Sequence, residues 1–168
     1  DKVTLWDSKF ELPGKNLEAQ KPSIVGGNGN KQLEVYEYPA GYARKYDGID
    51  KSGGEQLSQL QNIFEDNTRT ATTRIQELDA RYKTFSGLTD CCSLTAGFRF
   101  ELYNHPNKDF NGLYTLVSVT HEVEQSPDYT SDQEVAAPYR NSFTCIPNSV
   151  PYRPQRRTPK PVEPFAEI

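Results

Sequence analysis

The chain has 168 residues, with 19 Lys and Arg against 23 Asp and Glu, a net charge of −4 and a pI near 5.3. This length suits one ordinary domain with extensions rather than a large enzyme, and the acidic balance argues against a partner held through its phosphate backbone, so no nucleic acid is expected. Only 35% of residues are hydrophobic, yet 10 Tyr and 8 Phe offer large surfaces to bury, as in a globular domain with polar loops.

No stretch approaches the roughly 20 consecutive apolar residues of a membrane-spanning helix, so no stable membrane anchor is expected. The opening residues lack the apolar block of a signal peptide. The chain contains no Met, even at position 1, which leads us to expect an internal piece of a longer or processed protein. Cys91 and Cys92 are adjacent and Cys145 lies far away, a pattern unlike the paired framework of a small secreted domain, so reduced thiols are expected.

In chain order, Val3 to Phe10 alternates partially and stops at Pro13-Gly14, which predicts a strand and a turn. Pro22 to Gln32 carries Gly26-Gly27-Asn28-Gly29-Asn30 and reads as a flexible connection, because it lacks both the Gly-Lys-Ser/Thr ending of a phosphate loop and a dinucleotide fingerprint. Leu33 to Tyr38 predicts a second strand, stopped by Pro39-Ala40-Gly41. Two helical stretches follow, one on Leu57, Leu60, Ile63 and Phe64 and one on Ala71, Ile75, Leu78 and Tyr82. Asp66-Asn67-Thr68 supplies capping side chains and predicts a break between them.

The period then falls to two. Phe98, Phe100 and Leu102 alternate with polar neighbours, and Asn104 to Gly112 makes a turn. Leu113 to Val123 predicts a long strand with Leu113, Thr115, Val117, Val119, His121 and Val123 on one face and Tyr114, Leu116, Ser118, Thr120 and Glu122 on the other. Tyr139 to Ile146 predicts the last strand. The fold class expected is mainly β with α, an antiparallel sheet or small barrel with one or two helices packed on it. Residues 148–168 are proline-rich, and residues 151–168 carry four basic and two acidic groups against 15 and 21 in residues 1–150, which predicts an extended basic connector after a hub of residues 1–147.

Candidate chemistry is sparse. His105 precedes Pro106 in a turn and His121 lies in an alternating strand, so each is expected to be structural. Cys145 and His121 are the one pair whose strands could meet as nucleophile and base, a small Cys-dependent hydrolase being the alternative function. Cys91 and Cys92 could form a redox pair but lack Cys-x-x-Cys geometry. Glu34 and Glu37 fall on opposite strand faces, while Glu122 and Glu124 share one and could be imagined as a glycosidase-like acid and base. The Tyr residues allow a carbohydrate- or protein-binding β module as a further alternative. No catalytic residue, metal site or cofactor is assigned.

The succession Glu37-Tyr38-Pro39-Ala40-Gly41-Tyr42, then Thr95-Ala96-Gly97-Phe98-Arg99-Phe100-Glu101-Leu102 with His105-Pro106, resembles the hub region of VgrG spike proteins of type VI secretion systems, also called Rhs-element Vgr proteins. Tyr114 to His121, Tyr139 to Pro147 and Tyr152 to Pro161 strengthen the resemblance by their order. It implies a structural, non-enzymatic role similar to the hub of contractile phage baseplates: barrel-like domains that assemble as a homotrimer, with a proline-rich arm leading toward an OB-like domain and a β-helical needle. It also implies contacts with tail-tube, baseplate and effector proteins, assembly in the bacterial cytoplasm and export by contraction. The present piece is expected to be monomeric by itself.

Overall fold

The computed structural model describes residues 1–9, 12, 14–25, 32–46, 60–124 and 139–159. These form two sheets and one α-helix. Strands β1 (Lys2–Leu5), β2 (Ala19–Pro22) and β3 (Glu34–Glu37) make the first sheet in the order β2-β1-β3, with β1 antiparallel to β2 and parallel to β3. Helix α1 (Ile63–Asp79) packs on β1 and β2. Val3, Leu5 and Leu17 meet Ile63, Ala71 and Ile75 in its core, where each fully buried aliphatic side chain contributes about 1.5–3 kcal/mol.

The break expected at Asp66-Asn67-Thr68 is absent, and one helix runs through it. Asp66 does not cap; its carboxylate accepts hydrogen bonds from Lys45 at 2.7 Å, Tyr46 at 2.6 Å and Arg69 at 2.6 Å. Thr68 turns its hydroxyl back to the Phe64 carbonyl, an intrahelical alternative to capping. Phe64 is exposed rather than part of the buried stripe, and Leu57 lies outside the described residues. The helix is anchored at its far end by Asp79, which accepts from the Ser23 hydroxyl and the Ile24 amide at the end of β2. Strand β2 was not foreseen, because Ala19-Gln20-Lys21-Pro22 has no apolar alternation and is held by its pairing with β1.

The second sheet has the order β4-β7-β6-β5, all antiparallel: β4 (Phe85–Thr89), β5 (Arg99–Leu102), β6 (Gly112–Val123) and β7 (Tyr139–Pro147). Its core joins Tyr114, Leu116 and Cys145 to Phe85, Leu94, Phe100, Val119 and Phe143. Among the described residues the expected closed barrel is not formed: β4 and β5 end the sheet without pairing to each other. Four strands turning by about 20–25° each do not come round on themselves.

The face assignment of β6 also needs correction. Leu116 pairs with Cys145 and Ser118 with Thr144, so Val117 is an extra, bulged residue. The bulge resets the alternation. Tyr114 and Leu116 therefore share the core face with Val119, which simple alternation places opposite them.

Candidate functional site

Chemistry-bearing side chains gather where the arm crosses helix α1. Arg74 stands at the centre: its Nε donates to Glu37 Oε1 on β3 at 2.7 Å and its Nη1 to Glu77 Oε2 at 2.6 Å. Glu77 in turn accepts from the Arg156 backbone amide at 3.0 Å, and Arg156 places its guanidinium 3.7 Å from Glu37. Arg153 Nε donates to Gln76 Oε1 at 2.9 Å. Burial opposes the charge on Glu77, but the Arg74 and Arg156 bonds outweigh it and hold the carboxyl below its usual range. The basic excess of the connector was visible in sequence; its seat on α1 and β3 was not.

A second anchorage lies beneath residues 40–46, where a 3-10 turn runs from Ala43 to Tyr46. The Ala43 amide donates to buried Asp7 at 3.0 Å, Tyr42 donates to the Leu17 carbonyl, and Tyr46 donates to Asp66. The Ala40 amide donates to the Trp6 carbonyl at 3.1 Å. These bonds fix the backbone beside the arm.

The Cys145 and His121 pair is not brought together. Cys145 lies opposite Leu116 and Phe85, whereas His121 pairs with Asn141, four residues along β7; at ~3.3 Å per residue this separates them by roughly 13 Å. Burial pushes the Cys145 thiol upward, the reverse of nucleophile activation. His121 Nδ1 instead sits 2.5 Å from the Tyr139 hydroxyl. Asn141, buried to 1% exposure, donates to that hydroxyl and to the Cys91 carbonyl. This network reaches Cys91 only through its backbone, so it ties the loop after β4 to β7 and gives the thiol no base.

Cys91 and Cys92 are exposed free thiols. Cys91 Sγ contacts Ser93 Oγ at 3.2 Å, and this bond, with the Ser93 amide, draws the thiol below its ordinary range against a small opposing effect of burial. His105 is a loop brace, with Nδ1 against Asn107 and its ring against Phe110. Glu122 is bonded to Arg140 at 2.5 Å. Glu34 accepts from Thr4 and pairs with Lys2. Among the described residues, no three His, Cys, Asp or Glu are placed to hold a metal ion, and no helix is long and apolar enough to cross a membrane.

Of the exposed aromatics, Phe64 borders a shallow concavity on the outer face of α1 with Thr68, Thr72 and Gln76. Trp6 and Tyr38 touch at 4.8 Å between centroids at the surface by β3, and the cavity on the second sheet is bordered largely by hydroxyls, among them Ser86, Ser118, Thr120, Ser142 and Thr144.

A family model described as phage tail baseplate hub (GPD) matches residues 1–127, which include both sheets up to the end of β6. The chain belongs to the phage tail baseplate hub family. It is also similar to three type VI secretion system spike proteins of Pseudomonas aeruginosa: VgrG1b, at 29% identity over 160 residues, VgrG4b, at 28% over 169, and VgrG5, at 27% over 169. Each alignment covers 95% of this chain and 19% of the relative. The chain thus spans about a fifth of the length of the curated relatives it matches. The resemblance to VgrG spike proteins read from the motifs is borne out.

Proposed function

We propose that this chain is a hub building block of a type VI secretion spike, acting mechanically as a trimeric adaptor between the tail tube and a puncturing needle. Residues 1–147 supply the hub and residues 148–168 the connector toward an OB-like domain and needle. Contraction of a sheath drives the assembled spike outward, so the work of the chain is to transmit force without turnover. Tail-tube, baseplate and effector proteins are its partners, and it is assembled in the bacterial cytoplasm before export.

The observation that carries this reading is the seat of the arm. A connector that passes load needs a fixed origin, and Arg153 and Arg156 bind the arm to Gln76, Glu77 and Glu37 on two different elements of the hub. The bond from the Arg156 backbone amide to Glu77 is partly buried, so it resists displacement better than isolated surface pairs do.

Light scattering on the complete reading frame tests the proposal. The full protein is expected to run as a stable trimer, whereas residues 1–168 alone run as a monomer of 19.0 kDa. A monomeric full-length protein overturns the hub assignment, and a stable trimer of residues 1–168 overturns the placement of the trimer contacts outside them.

A further inference from the structure

Beside the ionic seat of the arm lies a cavity of about 330 Å³ with a different character. Three arginines line it, Arg44 from the 3-10 turn and Arg156 and Arg157 from the arm, with Ala40 and Gly41 beside them and, among the described residues, no Asp or Glu in its lining. Among the described residues, neither Arg44 nor Arg157 has a carboxylate within ion-pair distance; Arg156 has only the 3.7 Å approach to Glu37, which already binds Arg74 more closely. A chain of net charge −4 therefore concentrates three guanidinium groups around one concavity.

We propose that this cavity is a carboxylate-binding site that receives an acidic segment of a partner polypeptide. Guanidinium groups present planar forks of N–H donors that match a carboxylate in two-point contact, which suits them to oxyanions more than to any neutral ligand. The walls are already in place. Asp7 holds the amide of Ala43 next to Arg44, Glu77 holds the amide of Arg156, and the Trp6 carbonyl holds Ala40. A ligand thus meets three positive groups on anchored backbone and incurs little ordering cost beyond their side-chain rotamers.

The surrounding charge favours a short acidic peptide over an extended polyanion. Residues 1–150 carry 21 acidic against 15 basic groups, so a nucleic acid or an anionic lipid surface reaching beyond the cavity meets repulsion. One or two carboxylate side chains do not. Free phosphate shares the oxyanion chemistry and is the competing source. This inference rests on the cavity itself and stands apart from the spike reading.

Fluorescence anisotropy of a labelled, terminally blocked Gly-Glu-Asp-Gly peptide against residues 1–168, at about 50 mM salt where the screening length is near 14 Å, tests it. Wild type is expected to bind this peptide and not its Gln-Asn counterpart. Arg44→Ala combined with Arg157→Ala is expected to weaken binding at least tenfold with an unchanged melting temperature, since neither side chain has a described carboxylate partner to lose. Arg140→Ala, on the other sheet, is expected to leave binding intact. The proposal is overturned by equal binding in the double variant, by no binding in wild type, or by inorganic phosphate displacing the peptide at equimolar concentration. It is also overturned if the peptide binds only after residues 160–168 are deleted, because the chain's own Glu163 and Glu167 are then the ligands.

Discussion

Arg74 Nε stands 2.7 Å from Glu37 Oε1, so a single guanidinium fastens helix α1 to edge strand β3 while its other arm holds Glu77. Arg74→Ala leaves Glu77, whose side chain is only 9% exposed, without its charged partner. The expected cost is about 2 kcal/mol, between the near-zero value of exposed pairs and the larger cost of stranding a buried charge. A urea midpoint lowered accordingly checks it. Arg74→Lys should recover only part of the loss, because an ammonium cannot span both carboxylates as a fork does; a wild-type midpoint in Arg74→Ala would show that the latch holds nothing.

Asp66 makes stability depend on acid. Its bond from Lys45 chiefly, then that from Tyr46, with a smaller effect of Arg69, outweigh burial and hold its folded pKa below the ordinary value. A carboxyl depressed in this way stabilises the fold fully above its unfolded pKa, and the contribution fades as pH falls through the lower folded value. Melting temperature should therefore drop on acidification below about pH 4, and Asp66→Asn should flatten that limb while lowering stability at pH 7. An unchanged slope in the variant would remove Asp66 from the acid response.

Gly87 on β4 lies opposite Phe143, and a Cβ there would stand 2.5 Å from Phe143 Cζ. The ring covers the glycine and also packs edge-on against Phe100 at 5.4 Å, so it has neighbours to disturb if it moves. Gly87→Ala should cost about 1–3 kcal/mol through overpacking. In a Phe143→Leu background the same change should cost much less; strictly additive effects in that double-mutant cycle would refute the clash.

Thiol reactivity should rank by exposure and thiolate character. Cys91 is exposed and its thiol is drawn down by the contact with Ser93, whereas Cys145 is 2% exposed and its thiol is pushed up by burial. Mass spectrometry after brief iodoacetamide treatment should find Cys91 labelled well before Cys145, and Ser93→Ala should slow Cys91. Early labelling of Cys145 would return the Cys145 and His121 hydrolase to consideration.

Strands β1, β3, β5, β6 and β7 were legible because alternating apolar and polar residues at period two are a local property of Val3 to Leu5, Leu33 to Tyr38, Phe100 to Leu102 and the longer runs of β6 and β7. The apolar spacing of Ala71, Ile75 and Leu78 likewise announced a helix, with Ile63 read into a separate, preceding one. The sequence by itself also determined the family, through ordered motifs, and the basic character of the arm. Only the tertiary structure decided that Asp66 serves Lys45 and Tyr46 instead of ending a helix, that polar β2 is a strand, and that Val117 is a bulge which rephases β6. It alone decided that Cys145 and His121 share a sheet without meeting, and that Arg44 meets Arg156 and Arg157 at one cavity. The reason is common to all of these: periodicity and turn chemistry are written in neighbouring residues, whereas register, charge partners and converging side chains depend on contacts between segments far apart in the chain.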